Sequence, residues 1–244
     1  MNVFAIADTH LSFGEHIDKP MDVFGPAWSG YENRLKEAWV KVVEKDDLVL
    51  MPGDISWAMH LEDAMADLAW IDALPGKKLL LRGNHDLWWS SMAKMRGLFE
   101  SIDFLQNDSR LYAENRIAVI GTRGWVCPGD PDFSSDDAKI YRRELLRLGM
   151  SADDLKAKLQ ASGLAASDVT VLAMTHFPPT AMDKKPTGFT DMLKDAGVKR
   201  AVYGHLHSER AFGNGPTGLY DGVEYALVSL DRLGCAPILV ASVR

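Results

Sequence analysis

Short apolar runs that break off abruptly at glycine or an acidic residue most restrict what this chain can fold into. Val3-Phe4-Ala5-Ile6-Ala7 ends in Asp8-Thr9-His10. Asp47-Leu48-Val49-Leu50-Met51 ends in Pro52-Gly53-Asp54, and Leu79-Leu80-Leu81 in Arg82-Gly83-Asn84-His85-Asp86. Each run is too short for a helix and apolar enough for a strand buried on both faces. Segments of helical period lie between them. Leu35, Trp39, Val42 and Val43 share a face of 31–44, and Leu61, Met65, Leu68 and Ile71 share one of 61–74, closed by Pro75-Gly76. Strand alternating with helix in this way calls for parallel strands joined by helical crossovers.

Further along, Ser90 or Ser91 is expected to cap a helix carrying Met92, Met95, Leu98 and Phe99. A strand is expected at 116–120, followed by a Pro-, Gly- and Asp-rich loop at 127–135. Two helices come next, one from about 136 to 148 stopped by Gly149. The other opens with Ser151 and Asp154 in capping-box spacing and stops at Gly163. Strands at 169–174 and 200–203 end in Thr175-His176 and Gly204-His205-Leu206-His207, and 223–229 with 237–242 read as a hairpin around Gly234. The stretch 11–30 is broken by Gly14, Pro20, Gly25, Pro26 and Gly30, yet holds Phe13, Phe24 and Trp28. A packed loop of that length reads as a lid. The expectation is one domain over 1–244, with this lid and a helical insertion at about 134–163.

A net charge of −7 argues against a nucleic-acid partner, which calls for a basic stripe. It leaves room for an anionic substrate, because a bound cation reverses the sign locally. Cys127 and Cys235 have no CxxC partner and suggest no disulfide framework, so a reduced, cytoplasmic setting is expected. With no basic leader and no long apolar segment, neither a signal peptide nor a membrane partner is expected. The oligomeric state is left open.

In open α/β sheets, functional groups gather beyond the carboxyl ends of the strands. Here the expected strands deliver Asp8 and His10, Asp54, Asn84 and His85, His176, and His205 and His207. Residues two apart in an extended segment point the same way, so Asp8 with His10 and His205 with His207 would each aim both side chains into one cleft. Carboxylate, amide and imidazole donors without thiolate suit divalent Mn, Fe, Zn, Co or Ni rather than calcium or an iron–sulfur cluster. Asp8, His10, Asp54, Asn84, His176, His205 and His207 are too many for one tetrahedral site and suit two ions sharing a carboxylate. Two dications against Asp8 and Asp54 leave positive charge for a hydroxide and a phosphate group.

In sequence order, Asp8-Thr9-His10, Gly53-Asp54, Gly83-Asn84-His85-Asp86, His176 and Gly204-His205-Leu206-His207 resemble the blocks of the calcineurin-like metallophosphoesterase superfamily. Gly53-Asp54-Ile55-Ser56-Trp57 and His85-Asp86-Leu87-Trp88-Trp89 are similar to a bacterial branch of it. The resemblance implies a four-layer α-β-β-α sandwich, two mixed β-sheets flanked by helices. It implies hydrolysis of a phosphomonoester or phosphodiester by metal-activated hydroxide. Asp8, His10, Asp54 and His207 would hold one ion, and Asp54 would share a second with Asn84, His176 and His205. His85 would stand just outside, stabilising the transition state or protonating the leaving alkoxide. Asp86 would either orient His85 or serve the fold.

The superfamily's protein Ser/Thr phosphatases carry Gly-Asp-x-x-Asp-Arg-Gly and Gly-Asn-His-Glu. Trp57, Ala58 and Asp86 depart from that pattern. A small phosphorylated substrate is expected, the alternatives being a nuclease or nucleotide phosphodiesterase of the same superfamily, or a non-catalytic metal-binding scaffold. Trp57, Trp88, Trp89 and Trp125 follow site segments and would wall a pocket that stacks a ring, or else pack the core. Arg123 would contact a substrate phosphate or form a salt bridge. His16 and His60 lie outside the constellation. Lys139, Arg142, Arg143 and Arg147 beside Glu144 read as a solvated helix face, unless that helix folds over the cleft and lets an arginine read the substrate.

Overall fold

A computed structural model describes residues 1–242. The strands are β1 Asn2–Ala5, β2 Leu48–Pro52, β3 Lys77–Leu81, β4 Ile102–Leu105, β5 Arg110–Tyr112, β6 Ile117–Thr122, β7 Thr170–Thr175, β8 Val198–Tyr203, β9 Gly218–Tyr220, β10 Val223–Leu227 and β11 Ile238–Ser242. The helices are α1 Tyr31–Val42, α2 Leu61–Asp72, α3 Met92–Met95, α4 Ser135–Ser162, α5 Gly188–Asp195 and α6 Glu209–Phe212. One sheet has the order β11-β1-β2-β3-β4 and the other β5-β6-β7-β8-β10-β9. β1 to β4 are parallel, with β11 antiparallel on β1. β6, β7, β8 and β10 are parallel, with antiparallel β5 and β9 at the edges.

Side-chain alternation along the strands builds the layers. Val3, Ala5, Leu48, Leu50 and Leu79 of the first sheet meet Val119, Leu172, Met174 and Val202 of the second. Their neighbours in sequence point outward. Phe4, Val49 and Leu80 pack on Leu35 and Trp39 of α1 and Leu68 and Ile71 of α2. Ile120, Val171 and Ala201 pack on Leu148 and Leu155 of α4 and Leu193 of α5. The result is a four-layer α-β-β-α sandwich whose parallel strands all end on the same side. No helix among the described residues is long and apolar enough to cross a membrane.

Three sequence expectations are corrected. The two helices on either side of Gly149 are one continuous helix, α4. Its start is capped by Ser134 with Asp137, and Gly163 ends it in the left-handed conformation. Ser151 caps nothing. It is buried in the helix, where its hydroxyl donates to the Asp108 carbonyl and accepts the Gly121 N–H. A mid-helix glycine costs about 1 kcal/mol relative to alanine, and the burial of Leu148, Leu155 and Leu159 along one face outweighs it.

The expected C-terminal hairpin does not form either. β10 runs parallel to β8, so the chain leaves it at the site end. It then crosses between the sheets, where Ala7 donates to the Val228 carbonyl (2.8 Å) and Leu230 donates to the Ala7 carbonyl (3.0 Å). From there it returns to fill the free edge of β1 as β11. Third, the helix expected to carry Leu98 and Phe99 is only the single turn Met92–Met95. β4, β5, β9, α5 and α6 have no counterpart among the sequence expectations.

Candidate metal centre and its cleft

The strand exits do not stay extended. Asp8, His10, Asp54 and His205 have φ of 59°, 44°, 53° and 73°, the left-handed region that L residues seldom occupy. Such residues cost on the order of 1–3 kcal/mol each and persist where the surroundings over-determine them. These curled exits replace the extended backbone on which the pairing of Asp8 with His10 and His205 with His207 was expected. Asp8 and His10 do share a group, but His205 and His207 go to different ones.

Three glycines admit the curling by letting backbone and ligand atoms touch. A Cβ on Gly53 would lie 2.6 Å from His176 Nδ1, one on Gly83 2.1 Å from Asp54 Oδ1, and one on Gly204 2.5 Å from Asp8 Oδ2. No side chain fits there. The glycines of the three motifs are therefore steric requirements of the site.

Two groups of side-chain donors converge, Asp8 with His10 and His207, and Asp54 with His176 and His205. In the first, His10 Nε2 lies 3.4 Å from His207 Nε2, and His207 Nε2 lies 3.9 Å from Asp8 Oδ1. In the second, Asn84 Oδ1 lies 2.7 Å from His176 Nε2 and 2.9 Å from His205 Nδ1. Asp54 Oδ2 stands between the groups, 3.3 Å from His176 Nε2 and 3.9 Å from His10 Nε2. Ligands bonded to one ion at about 2.0–2.1 Å sit about 3–3.4 Å from one another. The separations here, 2.7–3.9 Å, bracket that spacing, and each donor set suits one divalent ion.

Electrostatics points the same way. Asp8 and Asp54 are buried, and among the described residues neither has a lysine or arginine within salt-bridge distance. Buried carboxylates without a cation are costly. Burial holds the His10 and His205 imidazoles down, to about 3, so both are neutral and offer a lone pair. Burial alone would lower His176 as well, but Asp54 and Asp8 raise it to about 9. Its proton is the cation those carboxylates have, and a metal ion would take that place.

Outer contacts fix the ring tautomers. His176 Nδ1 donates to the Pro52 carbonyl (3.0 Å), so Nε2 is the nitrogen that faces the donor group and would bind an ion in exchange for its proton. His207 Nδ1 lies 3.1 Å from Asp231 Oδ1, the carboxylate–histidine pairing common behind metal ligands. Asp231 was missed in the sequence, where it stands in no motif. Asp86 serves the fold rather than the His85 ring. Its carboxylate accepts from the backbone N–H of Asp54 (2.9 Å), Ile55 (2.8 Å), Ser56 (3.2 Å) and Gly83 (2.7 Å), and from Trp88 Nε1 (2.9 Å). It clasps the exits of β2 and β3 together.

His85 is exposed at the rim, its backbone N–H donating to Asp54 Oδ1 at 2.8 Å. Trp57 lies beside it, 4.5 Å between ring centroids, and stacks on His10 at 4.6 Å. A cavity of about 560 Å³ opens over His10, His85 and His207, walled by Trp28, Trp57 and Phe212. Trp88, expected at such a wall, is instead buried in the core with its indole N–H on Asp86, so its ring cannot meet a substrate. Arg123 lines a separate pocket, 3.6 Å from Glu144. His16 and His60 are exposed and stand outside both donor groups.

With this geometry in hand, residues 1–209 match the family model for calcineurin-like phosphoesterases, and the chain belongs to that family. Members of that family are metal-dependent phosphoesterases that use divalent ions. The chain is similar to the Gene 66 proteins of two mycobacteriophages. It is 43% identical to that of phage L5 over 56 residues (23% of this chain) and 28% identical to that of phage D29 over 114 residues (45% of this chain). The matches span only 27% and 55% of those relatives' own length. A crystal structure of a protein of unknown function from Aquifex aeolicus shares the fold, with a TM-score of 0.51 at 18% identity, over 98% of this chain and 95% of that one.

Proposed function

We propose that the chain hydrolyses a small phosphomonoester or phosphodiester whose organic part is apolar or aromatic, using two divalent ions drawn from Mn, Fe, Zn, Co and Ni. The observation that carries this reading is Asp54 Oδ2, set between His10 Nε2 at 3.9 Å and His176 Nε2 at 3.3 Å. Asp8, His10, Asp54 and His207 would hold one ion, and Asp54, Asn84, His176 and His205 the other. A bound pair supplies Lewis acidity and a nucleophilic water at neutral pH.

The chain's own groups do the rest. His85 stands free at the rim, where its ring N–H reaches a phosphoryl or leaving oxygen while its backbone stays tied to Asp54. The leaving group fits the cavity beside it, against the faces of Trp28 and Trp57. Met21, Phe24 and Ala27, from the 11–30 segment, complete that wall, which supports the lid reading of the segment.

The test is a panel of phosphorylated metabolites and aryl phosphate esters assayed with each metal in turn. Aromatic or apolar esters should outrank sugar phosphates in kcat/KM, and the reverse order would overturn the substrate class. His85→Ala should lower kcat by about 100-fold or more, with metal content unchanged by elemental analysis. Unaltered turnover would remove His85 from its role.

A further inference from the structure

A second pocket lies at the same end of the sandwich, where β3, β4 and β6 finish and α4 passes over them. Its volume is about 280 Å³, room for about nine waters at ~30 Å³ each. Arg82, Arg123, Arg143 and Arg147 line it, with Glu144 as the carboxylate among them. In a chain of net charge −7, this is a local surplus of positive charge.

Glu144 cannot neutralise it. Its buried carboxylate already accepts from Thr122 Oγ1 (2.7 Å) and Arg147 (2.8 Å), and stands 3.5 Å from Arg143 and 3.6 Å from Arg123. Arg123 is mostly buried, and among the described residues its Nε–H has no hydrogen-bond partner. Its guanidinium is held over the Trp125 ring at 4.7 Å, so it is oriented rather than free. Burial lowers its pKa and outweighs the opposing pull of Glu144, with the neighbouring Arg82, Arg143 and Arg147 lowering it further.

Such a cluster of guanidiniums with too few carboxylates matches an oxyanion taking several charge-assisted hydrogen bonds. The pocket is wired to the metal centre. Arg82 precedes Asn84 by two residues, its Nε donating to the Asp86 carbonyl (3.2 Å), and the Arg123 carbonyl accepts the His176 N–H (2.9 Å).

We propose that this pocket binds a phosphate-class oxyanion, separate from any held at the two donor groups. The assignment stands on the pocket's own geometry and does not depend on the hydrolytic reading. The anion is either a second, non-scissile phosphate of the substrate or a free effector.

Calorimetry of the metal-loaded protein with pyrophosphate tests the site. The wild type, Arg143→Ala/Arg147→Ala and Lys139→Ala/Arg142→Ala are compared, the last pair lying on α4 outside the pocket. Binding at the metals is common to all three, so the difference isolates the pocket. The pocket variant should lose one binding event or weaken it by about tenfold or more, while the control pair keeps it. Identical isotherms for all three proteins would overturn the proposal, whatever the enzyme's activity. Kinetics then separates the sources. A substrate-borne phosphate predicts a raised KM in the pocket variant only for esters carrying a second phosphate. A free effector predicts that pyrophosphate alters turnover of a simple aryl phosphate in the wild type and not in the pocket variant.

Discussion

The exits of β1, β2 and β3 and the exits of β7 and β8 build opposite halves of one cleft by different means. The first-sheet exits contribute both carboxylates, the amide and the His10 ring, and Asp86 fastens the β2 and β3 exits through five donors. The second-sheet exits contribute imidazoles. His176 is oriented by one contact to Pro52 and His207 by one to Asp231. One half is fastened by a multiple backbone clasp and the other, apart from the curled His205, by single side-chain contacts. Asp54 is thus held where the chain cannot relax, while the His176 and His207 rings turn about χ bonds that one acceptor fixes.

The difference can be broken most severely at Asp86. Asp86→Ala should leave buried N–H groups of Asp54, Ile55, Ser56 and Gly83 without an acceptor, at about 1–3 kcal/mol each. A fall of at least about 3 kcal/mol in urea-unfolding stability is expected, together with loss of bound metal. Asp231→Ala attacks the other half and should spare the fold. Metal affinity should fall by about 10–100-fold, read by competition with a chelating dye, at an unchanged unfolding midpoint. Equal damage to stability from both variants would erase the contrast.

A pH series sharpens it further. Asp67 ties the first half to α2 and the 11–30 segment, accepting from Ser56 Oγ and from the Phe13 N–H (2.7 Å), and burial pushes its carboxyl up to about 6. Between the ordinary carboxylate range and that value the folded state binds the extra proton. Its contribution to stability is therefore full at low pH and is lost as pH rises through about 6, by on the order of 3 kcal/mol. Asp67→Asn should flatten that part of the stability–pH curve, measured by urea unfolding between pH 4 and 7. The smallest effect belongs to the helix covering the second sheet. Gly149→Ala brings a Cβ within 3.2 Å of the flexible Met192 tip and should raise stability by up to about 1 kcal/mol.

Much of this was legible because strand ends and glycines are local features. The apolar runs at 48–51 and 79–81 announced buried strands, and β2 and β3 lie there. Donor-bearing residues just past five such runs announced the cleft, and the structure gathers them at one end. Other readings failed for nonlocal reasons. Gly149 breaks a helix only where no tertiary face holds it, and here α4 lies along a sheet. Trp88 looked like a cleft residue by its position after His85, but its indole turns inward to Asp86. The tail's two strands look alike in sequence, yet each fills a different sheet because β10 runs parallel to β8.

The sequence by itself determined which atoms can bind metal and that they follow strands, since residue chemistry and two-fold periodicity need no partner to be read. Tertiary structure alone decided how the donors divide into two groups, that Asp86 is a backbone clasp, that Asp231 backs His207, and that four arginines share a pocket with one glutamate. Those outcomes depend on which loops meet across two facing sheets, and contacts between residues tens of positions apart leave no trace in local pattern.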